Sequence, residues 1–299
     1  MTLLLEDVSK EFGGFTAVDQ LSLEIQEKNI FGFLGANGAG KTTTFRMILN
    51  LIDPTSGSIT WNGEKIDYRK SDLIGYLPEE RGLYPKLKVQ EQLVYLGKLR
   101  GMAKKDAQVE LKTWLDRLKV PQYLDKKVEE LSKGNQQKIQ FISAVIHKPK
   151  LLILDEPFSG LDPVNVEVLK NAVIELKKAG TTIVFSSHRM EHVEQLCENL
   201  CMLQNGKRIL QGNLREIKRS FGKKNLKIEA DYDLSFVNQI AGVRKVQTYP
   251  GGVNCQIENE EVSQDILQAL LGKGFIRKFE LEEPSLNDIF IEKAGESYE

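Results

Sequence analysis

The stretch Gly35-Ala36-Asn37-Gly38-Ala39-Gly40-Lys41-Thr42-Thr43 fits the pattern G-x-x-x-x-G-K-[S/T] and follows the apolar run Ile30 to Leu34. It demands a buried strand, a tight loop and a helix in that order, and so an α/β architecture. The small residues let successive backbone N–H groups curl round a phosphate, while a helix beginning near Lys41 aims its positive end at the same charge. Lys41 is then placed to reach the β- and γ-phosphates of a nucleotide, and Thr42 to ligate Mg²⁺. Gly-rich loops also make ordinary strand-to-helix turns. Here Phe45, Ile48, Leu49 and Ile52 give the following helix an amphipathic face, so the contexts on both sides agree with phosphate binding.

With 299 residues, the chain is long enough for one large domain and a small one. Its 41 Lys and Arg against 42 Asp and Glu give a net charge of −1, which does not favour nucleic acid as the main partner. Cys197, Cys201 and Cys255 have no scaffold spacing and read as buried thiols, and the start Met1-Thr2-Leu3-Leu4-Leu5-Glu6 lacks the charged opening of a signal peptide. A cytoplasmic protein is expected. No apolar run approaches the length of a membrane span, so any membrane role must come through a partner.

The first stretch alternates like sheet at Leu3, Leu5, Leu21, Leu23 and Ile25. Between these lies Phe12, whose ring can stack on a nucleotide base or fill a core. Ser58 to Trp61 reads as a strand, Asn62-Gly63 as a hairpin turn, and Leu73 to Leu77 as a buried strand that ends in Pro78-Glu79-Glu80-Arg81-Gly82. A helical period then runs to about Ile146, which marks an all-helical insert over about 86–146. Ser132 is placed to cap its last helix, within Leu131-Ser132-Lys133-Gly134-Asn135. Lys150 to Leu154 is an apolar strand that delivers Asp155 and Glu156 at its end. The first carboxylate would hold Mg²⁺ and the second act as general base on water. Asp162 caps a helix opened by Pro163, and a further strand ends at His188.

The loop, the aromatic, the strand-ending carboxylates and the His after the next strand, in this order, resemble the nucleotide-binding domain of the ATP-binding cassette (ABC) family. The resemblance covers about residues 2–220. It implies an ATPase that uses ATP and Mg²⁺, with Phe12 as the base-stacking aromatic and Val18 beside it. It also implies nucleotide contacts from Gly35, Asn37, Gly38, Ala39, Gly40, Lys41, Thr42 and Thr43. Catalysis would rest on Glu156, His188 and Lys41. Family members close as head-to-tail dimers, so Ser132, Gly134 and Asn135 would act in trans, with Asp162 in the loop between. This chain has Leu-Ser-Lys-Gly-Asn where the family has Leu-Ser-Gly-Gly-Gln. It also has Glu79 where most members place a glutamine. That carboxylate either joins Thr42 and Asp155 on Mg²⁺ or turns toward the helical insert.

Ile74 to Pro85 and Glu283 to Phe290 further resemble the ATPase subunits of ABC-2 type exporters, some assigned to sodium or drug efflux. An integral membrane permease, a second copy or homologous ATPase chain, and a peripheral place on the cytoplasmic face of the membrane are implied. Residues 221–299 read as a separate accessory domain. Its order β-α-β-β-α-β is that of a ferredoxin-like unit, followed by a last helix, capped by Ser285 and Asp288, that docks on the main domain. A dimerisation or regulatory surface is favoured there over a ligand sensor. The rivals are a zinc peptidase, from His188-Arg189-Met190-Glu191-His192, a non-transport ABC ATPase, and a nucleotide-binding regulator.

Overall fold

The computed structural model describes residues 2–80, 82–222 and 224–296; Arg81 of the loop after Leu77 lies outside them. The backbone divides into two compact units, residues 1–211 and 212–299. The expected boundary at 220/221 falls later than this division, because the helix Leu214–Phe221 groups with the second unit.

In the first unit a six-stranded sheet runs Lys207–Asn213, Asn199–Gln204, Ile30–Leu34, Thr182–Ser187, Leu151–Asp155, Ile74–Leu77. The five strands from Asn199–Gln204 to Ile74–Leu77 are parallel. Every residue of Ile30–Leu34, Leu151–Asp155 and Thr182–Ser187 is buried. That is why these strands are continuous apolar runs rather than alternating ones: a parallel sheet is covered on both faces. Their carboxyl ends all face one edge, where Gly35, Glu156 and His188 follow.

A second, antiparallel sheet pairs Phe15–Gln26, Thr2–Phe12, Ser56–Trp61 and Glu64–Lys65. The first two strands continue further than the alternation at Leu21 to Ile25 predicts. Gly13 and Gly14 take φ values of 53° and 91°, a two-residue turn that sets Phe12 opposite Phe15. The side chains Leu3, Leu5, Leu21 and Leu23 of this sheet share one core with Phe33 and Phe45, the latter two edge to face with ring centroids 5.4 Å apart.

The helical insert is present as Val89–Leu99, Lys104–Arg117 and Lys133–Val145, with short 3-10 turns at Pro121–Tyr123 and Val128–Glu130. Trp114 and Phe141 meet edge to face at 5.9 Å inside it. Ser132 caps the third helix through Asn135 N, and Asp162 caps Pro163–Lys178 through Asn165 N at 3.0 Å, both as the sequence predicts.

The second unit contains an antiparallel sheet in the order Val243–Tyr249, Gly252–Ile257, Asn225–Ala230, Ile276–Glu282. This is the ferredoxin-like strand order. Leu226, Ile228, Val253, Cys255 and Ile257 turn to one face and bury against Val262, Ile266 and Leu270 of the helix Glu261–Leu270. The expected first helix is only a 3-10 turn, Ser235–Gln239. The reciprocal cap of the last helix, Leu286–Glu296, forms: Ser285 N donates to Asp288 Oδ2 at 2.9 Å and Asp288 N to Ser285 Oγ at 3.2 Å. All three cysteines are free and buried, and burial holds Cys201 up at about 12 and Cys255 at about 11.

Candidate nucleotide site

The loop after Ile30–Leu34 is shaped by two glycines that no other residue can replace without strain. Gly35 has φ 150° and a Cβ there would stand 2.4 Å from Leu203 O; Gly40 has φ 105° and a Cβ would stand 2.5 Å from Ala17 O. Gly40 is also the N-cap of Lys41–Ile48, so no side chain caps the first N–H groups of this helix. They remain available to an anion.

Lys41 is 6% exposed and its Nζ donates to Gly35 O at 2.7 Å and Ala36 O at 3.1 Å. Burial pulls its pKa down, opposed by the negative field of Glu156, Asp155 and Glu79. Thr42 Oγ1 donates to Asp155 Oδ2 at 2.8 Å, and Asp155 Oδ1 accepts from Ser186 Oγ at 2.5 Å. Ser186 Oγ in turn accepts from Glu156 N at 3.1 Å. Two neighbouring strands and the first turn of the helix Lys41–Ile48 thus hold the Asp155 carboxylate and the backbone of Glu156.

Glu156 is 5% exposed, takes φ 49°, and places Oε2 3.0 Å from His188 Nδ1. Its other oxygen, Oε1, is buried with no partner among the described residues. Burial raises its pKa, and the hydrogen bond and charge of His188 offset part of that rise. A carboxyl raised by folding favours the protonated folded state. The stability it contributes is complete below the ordinary carboxylate range and is lost as pH rises through the raised value. Glu156→Gln is therefore expected to unfold at a higher temperature than the wild type at about pH 8, with the gap closing toward about pH 4. Nucleotide-free thermal melts across that range check it; a gap independent of pH contradicts it.

Phe15, Ala17, Asn37, Gly38, Gly40, Lys41, Thr42, Thr43, Glu79, Asp155 and Glu156 line a cavity of about 410 Å³. Of the expected contacts, Gly35 and Ala39 shape the loop from behind it, and Val18 is fully buried beneath Gly40. Phe12 is not among the lining residues; the Lys10 ammonium lies over its ring at 5.1 Å. Its cross-strand partner Phe15, 62% exposed, lines the cavity with Ala17. Both were missed, because only the register of the Gly13-Gly14 hairpin brings them there.

Ser132, Gly134, Asn135 and Asp162 do not line the cavity of their own chain. They are ordered together: Asn135 Nδ2 donates to Tyr123 Oη at 2.9 Å and Ser132 Oγ at 3.0 Å. A Cβ on Gly134 would come within 3.3 Å of Leu161, next to Asp162. The peptidase arrangement does not form. His188 precedes the helix Met190–Leu196 and pairs with Glu156, whereas His192 is buried on it, edge on to Phe158, with its pKa pushed down to about 4 by desolvation.

Residues 18–159 match the family model for ABC transporters, and residues 212–294 match the model for the C-terminal domain of DrrA1-3-like ATP-binding proteins. The ABC transporter ATP-binding protein YhaQ of Bacillus subtilis is 65% identical over 99% of this chain and 100% of its own length. The Nod factor export ATP-binding protein I of Cupriavidus metallidurans is 33% identical over 99% of this chain and 98% of its own. A solved structure of the ATP-binding subunit of an ABC transporter superposes with a TM-score of 0.69 at 29% identity, covering 74% of this chain and 94% of that one. Proteins of this family bind ATP and are ATPases. The chain belongs to the ABC transporter family, as an ATP-binding subunit.

Proposed function

We propose that this chain hydrolyses ATP to drive an exporter, pairing head to tail with a second ATPase chain and acting on a separate membrane subunit. The observation that carries the reading is the buried carboxylate of Glu156, paired with the exposed His188, at the strand end beside Thr42–Asp155. When ATP enters, Lys41 leaves the carbonyls of Gly35 and Ala36 for the phosphates, and the N–H groups from Asn37 to Thr43 surround them. The oxygen donors of Thr42, Asp155 and Glu79 fit Mg²⁺. Among the described residues no three acidic or imidazole side chains form a metal cluster by themselves, and Mg²⁺ at phosphates is commonly held by one or two carboxylates plus the substrate. The metal, when bound, neutralises charge on the β- and γ-phosphates. Glu156 Oε1 takes a proton from the water as its oxygen bonds to the γ-phosphorus, and the bond to the ADP oxygen breaks. His188 holds the Glu156 carboxylate in place.

Glu79 tests the metal reading. Glu79→Gln is expected to cost little hydrolysis at saturating Mg²⁺ and Glu79→Ala more, measured as ATPase rate against Mg²⁺ concentration. Three superimposable curves are evidence against metal ligation by Glu79.

The membrane subunit is assigned to the helical insert and the loop leading into it, where Tyr84, Leu87, Tyr95 and Leu99 are 42–67% exposed. Tyr95 and Leu99 stand four apart on one face of Val89–Leu99. No helix among the described residues is long and apolar enough to cross a membrane, so membrane attachment is assigned to this partner. Leu99→Asp should keep the basal ATPase of the isolated chain and lose copurification with the membrane subunit. Copurification as strong as wild type places the docking face elsewhere.

A further inference from the structure

A second cavity of the first unit, about 640 Å³, lies at the edge of the six-stranded sheet away from the carboxylates. Lys28, Lys150 and Thr182 mark it, at the starts of strands whose other ends reach Leu34, Asp155 and Ser187. Nothing in the ATPase reading uses it. Its floor is apolar: Trp114, Val145, Pro149 and Leu176 are buried and line it. The strand ends beside them are already satisfied, since Thr181 Oγ1 donates to Pro149 O at 3.1 Å and Thr182 Oγ1 accepts from Lys28 N at 3.0 Å.

The lining carries more positive than negative charge: Lys148 is matched by Glu110 at 2.8 Å and Glu27 stands next to Lys28, while Lys28, Arg117 and Lys150 form no ion pair among the described residues. Arg117 rests instead on the indole of Trp114, 5.0 Å from its centroid. Trp114 Nε1 is itself buried without an acceptor, a state native proteins seldom keep. An apolar floor, unpaired cations on the rim and an unsatisfied donor in the wall together match one ligand chemistry, and the volume is that of a site for a molecule of drug size.

We propose that this cleft binds an organic anion with an apolar body, the body on Trp114, Val145, Pro149 and Leu176 and the anionic group at Lys28, Arg117 and Lys150. Arg117 turns from the indole to the anion, which opens the ring to the ligand. The site shares no lining residue with the P-loop cavity.

The probe is 1-anilinonaphthalene-8-sulfonate, an aromatic sulfonate, titrated on the full chain with ADP in excess. Saturable binding of one equivalent is expected, with energy transfer from tryptophan. Arg117→Glu and Lys150→Glu should each weaken it roughly tenfold, as reversal of one facing charge does. Lys112→Glu, on the other side of the same helix, should not. Both reversals change exposed side chains, and circular dichroism shows whether each variant is folded. Displacement of the dye by ADP, or equal affinity for the wild type and the three variants, overturns the proposal.

Discussion

Glu156→Gln is expected to bind ATP as the wild type does and to turn over about 10²- to 10⁴-fold more slowly, the usual contribution of a general base. The amide keeps the shape of the side chain and can still hold a water molecule. It cannot take the proton. The wild-type geometry makes the loss large because Glu156 Oε1 is buried without a partner among the described residues and so is open to a water. Asp155, its neighbour in the chain, is occupied by Thr42 at 2.8 Å and Ser186 at 2.5 Å. An ATP-bound dimer should accumulate on gel filtration. Wild-type turnover in this variant would remove Glu156 from catalysis.

Lys41→Ala is expected to lose affinity as well as turnover. A charge-assisted hydrogen bond contributes about 1.5–3 kcal/mol, so the dissociation constant for ATP should rise roughly 10- to 100-fold. The substitution also removes the hydrogen bonds by which Lys41 Nζ ties Gly35 O to Ala36 O. Titration with a fluorescent ATP analogue reads the change. Unaltered affinity would mean that the backbone N–H groups alone hold the phosphates.

The contrast between these two variants follows from features legible in the sequence. Gly-Lys-Thr after an apolar run, and Asp155-Glu156 after another, are local patterns whose chemistry depends on neighbours in the chain, and both stand where the pattern puts them. The caps at Ser132, Asp162 and Ser285 were legible for the same reason. Contacts set by pairing across strands were not. Phe15 reaches the cavity only because two glycines at positive φ close the hairpin on Phe12. In the second unit the predicted helix over 235–240 shortens to a 3-10 turn, with only Val237 buried among its residues. The tie between Asn135 and Tyr123 joins positions whose relation appears only once the helical insert is folded.

The placement of Ser132 and Gly134 decides how the site works. They sit beside Asn135, which is tied to Tyr123, and beside Leu161, outside the cavity that contains Lys41, and the proposed head-to-tail pairing would bring them to that cavity from another chain. The most direct measurement is a mixing assay. Lys41→Ala keeps an intact signature and lacks a working P-loop; Ser132→Arg keeps the P-loop and blocks the signature. Each alone should be nearly inactive. If the site is shared head to tail, an equimolar mixture recovers ATPase activity, because the mixed pair contains one intact P-loop facing one intact signature. A mixture no more active than its separate components, with mixed pairs shown to form, contradicts the account.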